Sequence, residues 1–446
     1  MNCIFICSVP ISHIIPIQPL VEYLICNNVN VYVISSRGNE ERIKSYGAKF
    51  IEYPFQFVEE GNLSSLIERG KNFRELLYDE KYIEAFDYFI EKDTEYFYDH
   101  NFKNLELMFN MIKKLKPDFI IRDAVDRYGN TIAKLLNIPC IGMITHCLYS
   151  KKFFEENPSD LYRIFLDALN INASQLNNYF KNLRKKYESI HDKVFMNSLT
   201  FKINTLHQFD PCEELTLINS IKSFQPQSSF EENRLYKLIY PKMDRFLIEK
   251  QIDSNLVNFI KFAKQEKKKI VYIATGSMLS LKFKLCTKLI DNLIKNGLCV
   301  IVSNNKEYEE LRTYYSDRVE YVYVDNFLPQ QFVLSNSDLF ISSAGQNSIL
   351  EAIYHEVPLL AIPITSEQKI NGLMIENNNI GLTNYIKRDA PKTFGWLVNE
   401  LLVNPKYKYN LKVLHDDLVN NTNDFKDILE YVYEKKKRIE NFYIIR

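Results

Sequence analysis

The sequence predicts an α/β fold built from two doubly wound domains. Short apolar runs typical of buried strands alternate with helical patterns in both halves of the chain, which favours parallel sheets covered on both faces. The length of 446 residues favours two or three domains. The hydrophobic pattern weakens between about residues 225 and 252, where Pro226 and Pro241 indicate a linker. We therefore expect domains at 1–240 and 241–410, followed by a charged amphipathic helix at 411–446.

The first half contains five predicted strands. The predicted order is a strand at 2–8, a loop, a helix at 15–27 with Pro16 near its first turn, and strands at 30–36 and 48–52. Residues 60–115 have a helical pattern rich in Tyr and Phe. Strands at 119–122 and 139–144 then flank a helix at 128–137.

The second half repeats this alternation. A helix with a basic end precedes the strand Ile270–Ala274, and the turn Thr275-Gly276-Ser277 follows it. Further strands are predicted at about 298–303, 319–324, 338–342 and 358–363. In doubly wound sheets, ligands bind outside the carboxyl ends of the strands. Functional side chains are therefore expected immediately after the predicted strands.

Composition excludes several classes of function. Lys+Arg and Asp+Glu each number 56, so no net field attracts nucleic acid or anionic lipid. The eight cysteines are scattered without a CxxC pair, which disfavours a disulfide framework or a zinc site and favours a reducing cytoplasm. The apolar start lacks a basic region and is interrupted by Pro10 and Pro16, so we predict no signal peptide and no transmembrane segment. The sequence leaves the oligomeric state open.

A phosphate site is predicted where the strand Leu339–Ser342 meets a helix. The small residues Ser343-Ala344-Gly345 form the turn, and the helix opens at Gln346-Asn347-Ser348. A helix N-terminus presents backbone N–H groups and a positive dipole end, which suit a phosphate. Asn347 and Ser348 could bind phosphate oxygens or simply cap the helix.

Acidic and amide side chains follow this turn at informative distances. Glu351 lies one helical turn further along and could reach a ribose, while Glu367 and Gln368 could hold sugar hydroxyls after the next strand. Phosphate, ribose and sugar contacts in one short run indicate a nucleotide-sugar site. A dinucleotide-dependent dehydrogenase is disfavoured, because its GxGxxG motif would follow the first strand and residues 8–13 contain no glycine. A P-loop NTPase is disfavoured, because no GxxxxGK[ST] motif occurs.

This segment resembles the donor-site signature of the UDP-dependent glycosyltransferases of the GT-B fold. The similarity is stronger to the bacterial macrolide and antibiotic enzymes than to the plant and animal ones, and its strong part covers about residues 320–371. The residues that match the signature are Phe327-Leu328-Pro329-Gln330 at its start, Asn347-Ser348 and Glu351 in its middle, and Glu367-Gln368 at its end. The sequence departs at Ser343-Ala344-Gly345, where the family has His-Gly-Gly.

The resemblance implies a specific architecture and ligand set. It implies two Rossmann-like domains facing a central cleft, with an acceptor-binding N-terminal domain, a donor-binding C-terminal domain and a final helix that crosses back onto the first. The donor would be a UDP-sugar, with no cofactor and no metal. Gly276 and Ser277 would help to line the diphosphate site, and Gln330, Ser343 and Gly345 would be further donor-binding residues. Phe327 would either stack on uracil or fill the core.

His13 and Asp123 are the candidate catalytic residues. Attack of a hydroxyl on an anomeric carbon needs a base, and an imidazole has a suitable pKa. A carboxylate on its other nitrogen fixes the tautomer and stabilises the imidazolium. His13 lies in the predicted first loop and Asp123 follows the strand at 119–122; the resemblance implies a dyad at these positions. Asp123 could instead cap the next helix, and Asp126 is a rival for its role. His146 is the one other histidine predicted near the acceptor.

The prediction is an inverting, metal-independent glycosyltransferase. It would move a hexose, with glucose the first choice, from a UDP-sugar to a hydroxyl of a small, fairly apolar acceptor such as a macrolide, polyketide or phenolic. Two alternatives stay open. One is another GT-B enzyme, such as a sugar-nucleotide epimerase or a lipid-linked sugar transferase. The other is a non-catalytic relative that binds a nucleotide sugar or a partner protein.

Overall fold

The chain divides into two compact units. The computed structural model describes residues 1–7, 10–55, 104–126, 128–156, 210–241, 243, 252–274, 283–304, 306–363, 366–384 and 391–444. The first unit comprises Met1–Ile218, Gln227–Lys237 and Asp424–Arg446, and the second comprises Asn219–Pro226 and Leu238–Asn423. The sequence predicted boundaries at 240 and 410. In the structure the chain instead passes between the units four times, and residues 411–423 belong to the second unit.

The described part of the first unit contains a seven-stranded sheet. Its strands are β1 (Asn2–Ile6), β2 (Asn30–Ser35), β3 (Lys49–Glu52), β4 (Phe119–Asp123), β5 (Cys140–Ile144), β6 (Leu215–Ile218) and β7 (Leu235–Leu238). Their order is β3-β2-β1-β4-β5-β6-β7, and β1 pairs in parallel with both β2 and β4. The direction of winding therefore reverses between β1 and β4, the place where doubly wound sheets bind ligands.

Six α-helices in the described residues 10–156 accompany this sheet. They are α1 (Ile11–Ile14), α2 (Gln18–Cys26), α3 (Glu40–Ser45), a helix at 104–114, α4 (Gly129–Leu136) and α5 (Lys151–Glu156). Of the predicted aromatic-rich helical region at 60–115, residues 60–103 lie outside the described residues. The core beside this sheet includes Ile4, Ile34, Ile120 and Ile132, all fully buried.

The second unit contains a six-stranded sheet in its described residues. Its strands are β8 (Ile270–Ala274), β9 (Cys299–Ser303), β10 (Val322–Asp325), β11 (Leu339–Ser342), β12 (Leu359–Ala361) and β13 (Gly381–Thr383), in the order β10-β9-β8-β11-β12-β13. Its helices are α6 (Ser254–Gln265), α7 (Phe283–Lys295), α8 (Tyr308–Tyr314), α9 (Gln330–Leu334), α10 (Gln346–Tyr354), α11 (Ser366–Asn377), α12 (Pro391–Val403) and α13 (Lys406–Asn420). All the pairings are parallel, and winding reverses between β8 and β11.

The last predicted helix is two helices, which corrects the prediction of one helix over 411–446. α13 ends at Asn420, and α14 (Lys426–Ile444) belongs to the first unit. Asn421 adopts an extended conformation, with ψ of 137°, which ends α13. Asn423 lies between the two helices, and its side chain donates to the Tyr240 carbonyl at 2.8 Å, which fixes the backbone of this connection. The predicted return of the final helix to the first unit is confirmed.

Three strands are absent from the predictions. β6 and β13 are short, and β7 lies inside the stretch predicted as a linker. β7 has an exposed first residue and no buried one, because it lies at the edge of its sheet. Such strands give little hydrophobic signal. No helix among the described residues is long and apolar enough to cross a membrane.

Candidate active site

His13 lies at the carboxyl end of β1. It is part of the single-turn helix α1, which corrects the prediction that it occupies a loop and that the helix begins near residue 15. Pro10 precedes α1 in an extended conformation and supplies the carbonyl that accepts from the His13 N–H at 3.0 Å. Its imidazole is 18% exposed.

Asp123 meets His13 from the neighbouring strand. It is the last residue of β4, which lies beside β1, and its carboxylate is almost fully buried. Oδ2 of Asp123 lies 2.5 Å from Nδ1 of His13, and the hydroxyl of Thr145 lies 3.3 Å from the same nitrogen. Because the carboxylate engages Nδ1, this contact would favour the tautomer with a proton on Nδ1, and Nε2 is the nitrogen that could act as a base. We call these two residues the dyad.

The neighbouring carboxylate, Asp126, has a different role. Its Oδ2 accepts from the Gly129 N–H at 2.7 Å and its Oδ1 from the Tyr128 N–H at 3.2 Å, so it caps the start of α4. Burial raises the pKa of Asp126 to about 6. Asp123 therefore contacts His13, whereas Asp126 bonds to the backbone at the start of α4.

In the second unit, the turn after β11 leads into the N-terminus of α10. Ala344 has a φ of 64°, in the left-handed region that glycine adopts more readily, and the Asn371 side chain donates to its carbonyl at 2.9 Å. Gly345 is the N-cap and makes no side-chain capping bond. A Cβ added at Gly345 would meet nothing within 4 Å. The helix end therefore borders open space that a phosphate could occupy.

Neither Asn347 nor Ser348 is the N-cap, so their simple capping role is wrong. Asn347 Oδ1 accepts from Nδ2 of Asn219 at 3.2 Å, and the Gln346 side chain donates to the Asn219 carbonyl at 3.1 Å. Ser343, which stands where the family has His, is buried, and its hydroxyl accepts from Gln368 Nε2 at 3.3 Å. These contacts bring residues from three segments together around one helix end.

A second polar cluster lies one turn further along α10. Gln330, the first residue of α9, donates through Nε2 to the Glu351 carboxylate and approaches the Ser348 hydroxyl at 3.3 Å. The Tyr272 hydroxyl donates to the other end of the same amide at 3.4 Å. Burial raises the pKa of Glu351 to about 7. We call Tyr272, Gln330, Ser348 and Glu351 the α10 cluster.

Comparison with known proteins shows a family similarity in the second unit. Residues 247–424, most of this unit, match the family described as UDP-glucoronosyl and UDP-glucosyl transferase. This part of the chain is therefore similar to the UDP-glycosyltransferases. The strand order of each unit agrees with the doubly wound domains that this family combines.

Individual relatives of this chain are distant. The putative UDP-glucuronosyltransferase ugt-50 of Caenorhabditis elegans is 22% identical over 321 residues, covering 67% of this chain and 59% of the relative. The chain thus spans less than two thirds of that protein's length. The uncharacterized UDP-glucosyltransferase YdhE of Bacillus subtilis (strain 168) is 23% identical, covering 74% of this chain and 77% of the relative.

Solved structures agree on the fold. The glycosyltransferase VinC, determined in complex with dTDP, has a TM-score of 0.64 at 14% identity and covers 98% of this chain and 100% of its own. The glycotransferase of kitacinnamycin gives the same TM-score at 15% identity, covering 94% of this chain and 95% of its own. At such identities, the similarity concerns the GT-B fold.

The remaining predicted site residues have different outcomes. Gly276 and Ser277 lie outside the described residues. Phe327 is 62% exposed, so the alternative that it fills the core is wrong. Glu367 and Gln368 lie in the first turn of α11. His146 is buried, and its Nδ1 lies 2.7 Å from the Cys147 carbonyl, so this nitrogen carries a proton that it donates locally.

Sequence reasoning missed four residues that contact the predicted ones. Thr145 follows β5 directly, so the strand-end rule that selected Asp123 could have found it. Tyr272 lies within β8, where a buried strand residue gives no functional signal. Asn219 follows the missed strand β6, and Arg122 has the appearance of an ordinary strand residue beside Asp123. No group of three or more metal-ligating side chains occurs within the described ranges.

Proposed function

We propose that this chain is an inverting glycosyltransferase that moves a hexose, with glucose the first candidate, from UDP to a hydroxyl of a small, fairly apolar acceptor. The observation that carries the proposal is the 2.5 Å contact between His13 and Asp123 at the switch point of the first sheet. A buried carboxylate on Nδ1 is the arrangement that makes a histidine an effective base.

The proposed reaction is a single displacement. Nε2 of His13 takes the proton of the acceptor hydroxyl as its oxygen attacks the anomeric carbon. The bond between that carbon and the β-phosphate oxygen breaks, and UDP departs with the bonding electrons. One displacement inverts the anomeric configuration. The N-terminus of α10 would stabilise the charge that develops on the diphosphate, which is the usual main term in such catalysis.

Donor recognition is proposed to use the polar groups around α10. Ser343, Asn347 and the N–H groups that follow Gly345 would bind the diphosphate. Glu351 and its partner Gln330 would bind the ribose, Gly276, Ser277 and Phe327 would complete the nucleotide site, and Glu367 and Gln368 would bind the sugar. Because the helix end supplies positive potential, we propose that the reaction proceeds without a divalent cation. The proposed location is the cytoplasm, as the scattered cysteines predict.

Turnover with defined substrates tests the proposal. UDP release is followed with UDP-glucose and a panel of phenolic and macrolide acceptors, with and without EDTA, for the wild type and His13→Ala. We expect acceptor-dependent release that EDTA leaves unchanged and that His13→Ala lowers by about 10²-fold or more. Wild-type release no faster than that of His13→Ala, for every acceptor, would refute it. A dTDP-sugar arm tests the nucleotide, since VinC was determined with dTDP.

A further inference from the structure

We propose that Arg122 and Glu213 form a buried ion pair whose role is to position the carboxylate of Asp123 against His13. This inference rests on the proposed function, since it assigns a positioning residue to the dyad. It starts from the chain itself, because Arg122 immediately precedes Asp123 at the end of β4. Neighbouring residues of a strand project to opposite faces, so Arg122 acts on Asp123 through the backbone that follows it.

The Arg122 guanidinium binds that backbone directly. Nη1 donates to the Asp126 carbonyl at 2.8 Å and approaches the Asp123 carbonyl at 3.4 Å. Nη2 donates to the Pro211 carbonyl at 2.6 Å. Within the same turn, Oδ1 of Asp123 accepts from the Val125 N–H at 3.0 Å. The planar guanidinium thus fixes the turn at 123–126 on which the dyad carboxylate is oriented.

Glu213 fixes the guanidinium in turn. Its Oε1 accepts from Nε of Arg122 at 2.7 Å and from Nδ2 of Asn130 at 2.6 Å, and both charged side chains are only 8% exposed. Burial alone would lower the pKa of Arg122, but the Glu213 carboxylate raises it above its ordinary value, so Arg122 stays charged.

The location of the pair favours a positioning role over a stabilising one. Burying two charges costs desolvation free energy, and apolar replacements of buried pairs are often as stable. The Arg122 guanidinium binds carbonyl groups of the turn at 123–126 and of Pro211. Such contacts keep the Asp123 carboxylate within the narrow geometry that catalysis needs. Asp123 supplies the contact with His13, and Arg122 determines where Asp123 lies.

A matched pair of variants separates these roles. Arg122→Lys keeps the charge but cannot bind three oxygens in one plane. The control is Arg234→Lys. Arg234 is also buried, forms two bonds to Asp210 at 2.7 and 2.6 Å, and donates through Nε to the Glu213 backbone carbonyl at 3.0 Å. None of its described contacts involves the Glu213 carboxylate or residues 123–126, so this variant shows the effect of disturbing the neighbouring backbone alone. The two variants are expected to lose similar thermal stability.

The readout is the low-field proton NMR signal of the His13 Nδ1–H in ¹⁵N-histidine-labelled protein, assigned with His13→Gln. We expect this signal in the wild type and in Arg234→Lys, and expect it to move upfield or vanish in Arg122→Lys. Glu213→Gln, which keeps the carbonyl contacts of Arg122, should shift it part of the way and decides the question if Arg122→Lys does not fold. An unchanged signal in the folded variants, or no such signal in the wild type, overturns the proposal.

Turnover provides a separate check. We expect kcat to fall by about tenfold to 100-fold in Arg122→Lys with KM for both substrates unchanged, and to be nearly retained in Arg234→Lys. A wild type that shows the low-field signal but transfers no sugar refutes the proposed function and leaves the positioning of Asp123 by Arg122 supported. The two failures are therefore distinguishable.

Discussion

Nδ1 of His13 and Oδ2 of Asp123 lie 2.5 Å apart although 110 residues separate them in sequence. The parallel pairing of β1 with β4 brings them together, because it places the carboxyl ends of both strands at one edge of the sheet. Neither β1 nor β4 alone makes a site. The contact between His13 and Asp123 therefore depends on the strand order of the sheet.

Replacing Asp123 should abolish most turnover without unfolding the protein. In Asp123→Asn the amide presents a neutral group to Nδ1, so the tautomer is no longer fixed and the imidazolium is not stabilised. We expect kcat to fall by about 10²-fold to 10⁴-fold. Asp126→Asn is the control, since Asp126 caps α4 and does not contact His13 in the described structure. Equal losses in both variants, measured by UDP release, would contradict the assignment.

Gly345→Ala should weaken nucleotide binding while leaving the fold intact. The backbone at Gly345, with φ of −66°, suits alanine, and the new methyl group would project into open space. If the diphosphate occupies that space, UDP should bind about tenfold more weakly, a difference of about 1.4 kcal/mol. Calorimetric titration with UDP measures this. Gly38→Ala, also free of close contacts, is the control, and equal affinities in the two variants would argue against a diphosphate at Gly345.

Glu351→Gln should stabilise the protein at alkaline pH. The folded pKa of about 7 exceeds the ordinary 4.5, so the folded state holds a proton that the unfolded state has lost between these values. The unfolding free energy of the wild type therefore falls as pH rises from about 4.5 to 7. Glutamine does not titrate, so the variant lacks this loss of stability. The difference in unfolding free energy, variant minus wild type, should be more favourable to the variant at pH 8 than at pH 4.5 by about 1–3 kcal/mol.

Urea unfolding of both proteins at the two pH values measures this difference. Other titrating groups, such as Asp126, contribute equally to wild type and variant and cancel. Glu310→Gln, at an exposed position, should show no such gain. The same Glu351→Gln variant should bind UDP more weakly, since glutamine is a poorer acceptor for ribose hydroxyls. A stability difference that does not change with pH would contradict the shifted pKa.

Asn219→Ala should weaken UDP binding through its contact with Asn347. Asn219 is fully buried, and its Nδ2 donates to Asn347 Oδ1 beside the helix end. Removing the amide leaves Asn347 without that orienting donor, and we expect a loss of about threefold to tenfold in affinity. Ser223→Ala is the control, because Ser223 lies in the same short segment as Asn219 and its hydroxyl donates to the Asp417 carboxylate. Both variants should melt earlier; UDP affinities that fall equally would assign Asn219 a purely structural role.

The sequence predicted the parts of the fold that leave a local signature. β8 was predicted with its exact bounds, because five buried apolar residues between polar neighbours have one interpretation. β7 and β13 were missed, since an edge strand and a three-residue strand contain too few buried positions to show a pattern. His13 was expected in a loop, because a four-residue helix lies below the length at which periodicity is visible.

The candidate site divides in the same way. Glu351 and Gln330 could be selected because the family signature keeps their spacing, and the fold brings them into contact. Arg122 and Glu213 could not, because 91 residues separate them and neither follows a motif. A buried ion pair gives no sign of itself until the strand order is known.

The first unit is built from three separate segments of the chain, which affects the order in which the two units are completed during translation. Asp118, at the start of β4, accepts from the Asn2 N–H at 2.7 Å and binds Lys436 of α14 through its other oxygen. The segment Asp424–Arg446 emerges only after Leu238–Asn423 has been translated. The second unit therefore has all of its residues while the first still lacks its last helix. Within residues 1–446, the first unit is therefore completed after the second.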